Sequence, residues 1–318
     1  MPRTLQTDPL VRRRSRPLLR AATLLSVGLV AVLGGSAFVA AAAGAPRNKP
    51  VGQPPAGSAL VEVRFQSDDG ARLAGWRSTD GTGIESAPEF VVVLAHPIGG
   101  SRRAMLGRAE WFRQRGAATL LFDFRGHGTS DATRLTFGER ESRDLIAAVE
   151  RARAFWPQTP IVVDGWSLGA AAALMAGPEL EVDGLILESP FTDLRSTVRA
   201  RGAKVLPLLG PLAADLLLAH SDWILGCDAA EVSPLAHANQ VSAPTLFLTG
   251  GDDRRAPAEG VRRIAERVAD SRGVVVFDGV PHVDLHARAT DDFEHAVGSF
   301  LDSLRSEWRD EIVATRVQ

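Results

Sequence analysis

Residues 161–176 constrain the fold more than any other stretch of the chain. Ile161-Val162-Val163 is a continuous apolar run, Asp164-Gly165-Trp166-Ser167-Leu168-Gly169-Ala170 follows it, and an alanine-rich run extends to Ala176. In that order they read as a short buried strand, a sharp turn and a helix. The turn fits G-x-S-x-G, in which a serine at the tip of a strand-to-helix turn is held in strained backbone geometry with its hydroxyl exposed. Side chains at 165 and 169 would collide with the neighbouring strand and helix, hence the two glycines. The helix points its N-terminus at the serine, so a backbone N–H can meet developing negative charge. Taken alone, the stretch also admits a glycine-rich turn with a capping serine.

The rest of the chain supplies a context for that turn. Leu60 to Phe65 alternates as a half-buried strand does, Asp68-Asp69-Gly70 is a hairpin signal, and Ala71 to Ser78 returns. Apolar runs at Phe90–Ala95, Ala117–Phe122, Ile161–Val163, Leu185–Leu187, Thr245–Leu248 and Val274–Phe277 suit strands buried on both faces. Helical patterns lie between or after them at 102–115, 137–155, 257–269 and 291–306. An antiparallel pair followed by alternating strands and helices predicts an α/β fold. Its sheet is eight-stranded, mostly parallel and doubly wound, and it spans 58–305, leaving 306–318 as a tail. Residues 192–243 break the rhythm. Their apolar Lys204–Gly226 segment is expected to form a small helical lid over the serine, or a pair of core helices at the sheet edge.

The N-terminus carries a different signal. Residues 1–20 hold Arg3, Arg12, Arg13, Arg14, Arg16 and Arg20 against Asp8, and residues 21–45 hold no charge. Such a segment is long enough to cross a bilayer, and its basic flank should stay cytoplasmic. The expectation is a single-pass membrane anchor, with the domain on the periplasmic or extracellular side and residues 46–57 as a Pro/Gly linker. The alternative is a secreted protein cleaved at Ala41-Ala42-Ala43 or Ala43-Gly44-Ala45. A net charge of −2 gives no support to a nucleic-acid partner. A single cysteine, Cys227, excludes an intrachain disulfide and a cysteine-rich metal site, and reads as a small buried apolar residue.

A serine nucleophile needs a base and an orienting acid, which on such a sheet follow in the order acid, then His. The loop after Thr245–Thr249 brings Gly250-Gly251-Asp252-Asp253, and the loop after Val274–Phe277 brings Asp278-Gly279-Val280-Pro281-His282. Both loops leave the carboxyl ends of strands, where open α/β sheets bind ligands. The loop after Phe90–Ala95 brings His96-Pro97-Ile98-Gly99-Gly100. Ile98 N–H and Leu168 N–H are the expected pair of oxyanion donors. Trp166, Pro97 and Phe191 are candidates to line a substrate pocket. No cofactor and no metal are needed. The base accepts a proton only when neutral, so activity is expected to rise as pH passes the ordinary imidazole range.

These motifs resemble the alpha/beta-hydrolase superfamily over nearly all of 58–305. Gly165-Trp-Ser-Leu-Gly169 matches its elbow, and Asp123-Phe-Arg-Gly-His-Gly-Thr-Ser130 is similar to its D-x-R-G-x-G-x-S loop. Gly250-x-x-Asp253 with Pro257 is similar to its acid loop, and Glu188-Ser-Pro-Phe191 resembles the lysophospholipase-like and serine-aminopeptidase-like branches. The resemblance implies Ser167 as nucleophile, Asp253 as acid and His282 as base. The reading is a serine hydrolase of an ester, thioester or amide of a small-molecule acyl substrate, and the anchor and apolar lid favour a hydrophobic acyl group over a polar peptide. Pro97 departs from the family, where the loop more often has glycine. Asp252 and Glu188 are rival acids, and His282 with His286 spaced four apart invites a metal reading that lacks the Glu of H-E-x-x-H. His96 is expected to bond loop backbone, His127 to be structural, Arg125 and Asp123 to tie down their loop, and Ser189 to be a turn residue. A tethered scaffold without turnover and an acyltransferase are the other readings of the same fold.

Overall fold

The computed structural model describes residues 32–79, 88–205 and 210–317, together with Thr23, Leu24 and Ser26. The basic residues 1–20, much of the charge-free segment, and 206–209 within the expected lid lie outside the described residues.

Eight strands form one sheet: β1 Leu60–Gln66, β2 Arg72–Ser78, β3 Phe90–Ala95, β4 Ala117–Asp123, β5 Ile161–Trp166, β6 Gly184–Glu188, β7 Thr245–Gly250 and β8 Ser271–Phe277. Their order across the sheet is β8-β7-β6-β5-β3-β4-β2-β1. Among the described residues only the β1–β2 and β2–β4 pairs are antiparallel. Helices explain the composition of the strands. α1 Leu106–Gln114 and α7 Thr290–Val317 cover one face. α2 Glu139–Phe155, α3 Leu168–Ala176 and α6 Ala258–Ala265 cover the other. Central strands β3 and β4 are therefore buried at every position and read as unbroken apolar runs. β1, at the sheet edge, buries only Val63 and Phe65 and alternates.

Register places the site. Ala95 pairs with Gly165, Trp166 with Glu188, and Phe277 with Gly250. The loops after β3, β5, β6, β7 and β8 thus leave the sheet along one rim, at the carboxyl ends of parallel strands.

Three stretches differ from the sequence reading. The helix expected over 102–115 opens as a single 3₁₀ turn, Arg102–Met105, before α1 begins. Asp123 Oδ1 fixes that start by accepting the Arg102 N–H at 2.7 Å. The final helix does not stop near 306; it runs to Val317, with Trp308 packed 6.2 Å from Phe90, centroid to centroid. Residues 46–57, read as a linker, lie against the domain: Arg47–Asn48 pairs with His127–Gly128, and Arg103 Nη1 donates to Val51 O at 2.9 Å.

Within the insertion at 192–243, two helices, α4 Leu194–Val205 and α5 Gly210–Leu225, pack around an apolar cluster of their own, and the short helix Pro234–His237 and the 3₁₀ turn Ala238–Gln240 follow. Leu194, Leu218, Ile224, Leu225, Cys227 and Val232 form the cluster, and Ala40 joins from a helix over 32–43. Among the described residues no helix is long and apolar enough to cross a membrane.

Candidate active site

The serine of the G-x-S-x-G turn sits between β5 and α3 with φ 54° and ψ −97°. A non-glycine residue rarely takes positive φ, and such strain persists only where the surroundings over-determine it. Two hydrogen bonds do so: Ser167 N–H donates to Glu188 O at 2.8 Å, and Ala171 N–H donates to Ser167 O at 2.9 Å. The flanking glycines answer to sterics. A Cβ on Gly165 would lie 2.7 Å from the Gly169 carbonyl carbon, and one on Gly169 would run into the backbone oxygen of Ala95.

Three distant side chains meet at this turn. His282 Nε2 lies 3.2 Å from Ser167 Oγ, and His282 Nδ1 lies 2.7 Å from Asp253 Oδ2. The other oxygen of Asp253 accepts the N–H groups of Arg255 at 2.8 Å and Ala256 at 2.9 Å. Burial works to raise this carboxyl, but the hydrogen bond to His282 and the Ala256 and Arg255 N–H groups outweigh it and hold it below the ordinary aspartate value. Asp253 is therefore an anion with every oxygen engaged. Its neighbour Asp252 is exposed and makes no contact with His282. The two rival acids are thus separated by burial.

The loop after β3 begins beside the serine turn, because Ala95 pairs with Gly165. Neither Ile98 N–H nor Leu168 N–H has an acceptor among the described residues. Two imidazoles brace this loop against the 123–130 loop. Gly99 N–H donates to His127 Nε2 at 3.0 Å, while His127 Nδ1 lies 3.0 Å from Arg125 O. Phe124 N–H donates to His96 Nε2 at 3.1 Å, while His96 Nδ1 lies 2.8 Å from Pro97 O. Both rings must carry their proton on Nδ1 to satisfy these partners. Burial holds both imidazoles neutral, with His96 pushed down to about 3 and His127 also lowered.

The other residues singled out in the sequence have these places. Pro97 is half-buried on the braced loop, and Trp166 is half-buried with its ring 5.3 Å from the Arg108 guanidinium carbon. Phe191 packs against the cap cluster formed by α4 and α5. Glu188 is fully buried and bonds Arg108, whereas His282 bonds Asp253. His286 lies against Phe293 and Trp111, with Nε2 3.5 Å from Glu294 Oε1. Ser189 is buried in a turn with φ 47°. Asp123 bonds Arg102 and the Thr129 N–H, and Arg125 bonds Asp69 and Asp144. Arg108 has no motif to mark it and was not anticipated. The only hint was Asp164, a charge inside an otherwise apolar strand.

The sheet order, the strained serine and the loops gathered at one rim define an alpha/beta hydrolase, and the chain belongs to that superfamily. Residues 86–233 match the family model "Serine aminopeptidase, S33". An uncharacterized protein of Mycobacterium tuberculosis is 33% identical over 230 residues, covering 70% of this chain and 72% of the relative. A yeast relative, 26% identical over 194 residues, covers 59% of this chain and 62% of its own length and is named an uncharacterized membrane protein. Among solved structures, an esterase of Pyrococcus furiosus superposes with a TM-score of 0.63 at 26% identity, covering 80% of this chain and 98% of that one. An esterase of Exiguobacterium antarcticum shares the fold, with a TM-score of 0.54 at 17% identity over 76% of this chain and 99% of that one.

Proposed function

We propose that this chain is a serine hydrolase that cleaves an ester, thioester or amide through an acyl-enzyme. The observation that carries the reading is the short path from Asp253 through His282 to the Ser167 hydroxyl, 2.7 Å and then 3.2 Å. In the acylation step Ser167 Oγ attacks the substrate carbonyl carbon while its proton passes to His282 Nε2. Asp253 keeps Nδ1 protonated and steadies the imidazolium. Ile98 and Leu168 N–H groups take the charge on the carbonyl oxygen. The leaving group departs with the proton from His282. Water then attacks the acyl carbon, giving its own proton to His282, and the serine is regained with release of the acid.

An ester of a hydrophobic acyl group is the favoured substrate: the esterase named among the structural relatives supports the ester, and the apolar cap segment supports the acyl group. The chain's charge-free segment, after a run of arginines, supports tethering to a membrane with the domain outside.

A fluorophosphonate probe tests the chemistry. Wild type should be labelled at Ser167, and Ser167→Ala should lose both the label and roughly four to six decades of turnover. An unlabelled, folded wild type overturns the hydrolase mechanism in favour of a scaffold. A p-nitrophenyl ester series, run beside peptide and thioester substrates, tests the acyl preference. A preference for the shortest chains overturns the hydrophobic-acyl reading.

A further inference from the structure

Beneath the nucleophile turn lies a charge cluster that the hydrolytic reading does not use. The Arg108 side chain, on α1, is 1% exposed, and the side chains of Asp164 and Glu188 are 0% exposed. Arg108 Nη2 reaches Glu188 Oε2 at 2.9 Å and Asp284 Oδ1 at 2.7 Å. Its Nη1 bonds Glu188 Oε1 and lies 3.3 Å from Asp164 Oδ1. Phe293 and Trp166 close over the guanidinium at 5.2 and 5.3 Å.

Each carboxylate belongs to a different part of the site. Asp164 lies on β5, three residues before Ser167. Glu188 ends β6, and its carbonyl accepts the Ser167 N–H. Asp284 is two residues after His282 and caps the short helix Leu285–Arg288 by accepting the Ala287 N–H at 3.2 Å. One cation thus joins the strand that carries the serine, the strand end that fixes the serine's backbone, and the loop that carries the imidazole.

We propose that Arg108 is a positioning residue: by gripping Asp284 it sets the 280–285 loop, and so the distance from His282 Nε2 to Ser167 Oγ. The electrostatics agree. Burial pushes the Asp164 and Glu188 carboxyls up, against the pull of Arg108. Both Nη atoms of Arg108 bond Glu188, so a shift of the guanidinium would break two bonds to a fully buried partner, which is costly. Only Asp284, 27% exposed, bonds it from outside that core. Asp284 is therefore the more exposed end of the clamp, and the end on the loop that carries His282. The inference rests on the assignment of His282 as base.

Asp284 also allows a test: its Oδ1 takes both the Arg108 bond and the Ala287 cap, and a shorter side chain can serve the cap without reaching the guanidinium. Asp284→Ser keeps an N-cap acceptor but is too short for Arg108, whereas Asp284→Asn keeps both the cap and the reach. The two variants are compared in ester hydrolysis, thermal melting and the proton NMR signal of the His282 Nδ1–H, which the short bond to Asp253 moves downfield. Asp284→Ser should lower kcat roughly tenfold, with KM within about twofold and a melting temperature close to wild type. Its Nδ1 proton should broaden by exchange with water, and Asp284→Asn should restore both kcat and the sharp signal. Wild-type kcat and a sharp signal in the folded Asp284→Ser protein overturn the proposal. Failure of the parent reading looks different: Ser167→Ala would keep its turnover, while the Nδ1 signal would still report whether Asp284 holds the ring.

Discussion

Single atoms decide whether this site can be built. Ser167 takes a positive φ because the turn must reverse within one residue, and Gly169 lets α3 lie against the end of β3. Gly169→Ala puts a methyl into the Ala95 backbone, which sits on a central strand and cannot yield cheaply. The variant should lose roughly 1–3 kcal/mol of stability, read by denaturant unfolding, and should lose activity too, because Ala95 leads into the Ile98 loop. His127 contributes through one lone pair. His127→Leu deprives the Gly99 N–H of its acceptor and should lower kcat roughly tenfold at unchanged KM. His127→Gln, with an oxygen of similar reach, should restore most of it. Steady-state kinetics on one ester separates the two outcomes.

At the scale of elements, buried ion pairs hold the loops of the rim to the layers beneath. Arg125 ties the β1–β2 hairpin, through Asp69 at 2.6 Å, to α2, through Asp144 at 2.7 Å. Asp144 is fully buried, so removal of its partner leaves an unpaired charge in the core. Arg125→Met should therefore cost roughly 3–5 kcal/mol, and replacing both residues, Arg125→Met with Asp144→Leu, should recover part of the loss. Additive losses in urea melts would rule this out. The cap helices close over an apolar cluster on which Phe137 and Met175 from the hydrolase layers also pack. Ala37, Ala40 and Ala41 of the 32–43 helix join the same cluster.

For the whole molecule, the buried imidazoles link fold to pH. His96 titrates at about 3 in the folded protein and near ~6.5 when unfolded. The unfolded chain therefore binds more protons between those values, so stability rises with pH across that window and falls as the solution is acidified. The contribution is fully present above the unfolded value and is lost progressively toward about 3. Thermal melting from neutral pH downwards should show the decline, and His96→Gln, which keeps an acceptor for Phe124 N–H, should flatten it. Tethering belongs to this scale as well. The full chain should stay with membranes through high salt and alkaline wash. A mature protein beginning near Ala45 that washes off in mild salt overturns the tether.

Chain order alone carried the alternation of strands and helices, because layers buried on both faces leave unbroken apolar runs that need no coordinates to see. It also carried the serine turn and the loops bearing Asp253 and His282, since each sits at the end of such a run. The rest required three dimensions. Asp252 and Asp253 are alike in sequence and differ in burial, and the bond between Glu188 and Arg108 exists only in the folded chain. Arg108 lies 56 positions from Asp164, 80 from Glu188 and 176 from Asp284, so no local pattern marks it. Periodicity records which face of an element is dry. Only packing decides which charges share that dry space, because their interaction depends on distance through the protein and not along the chain.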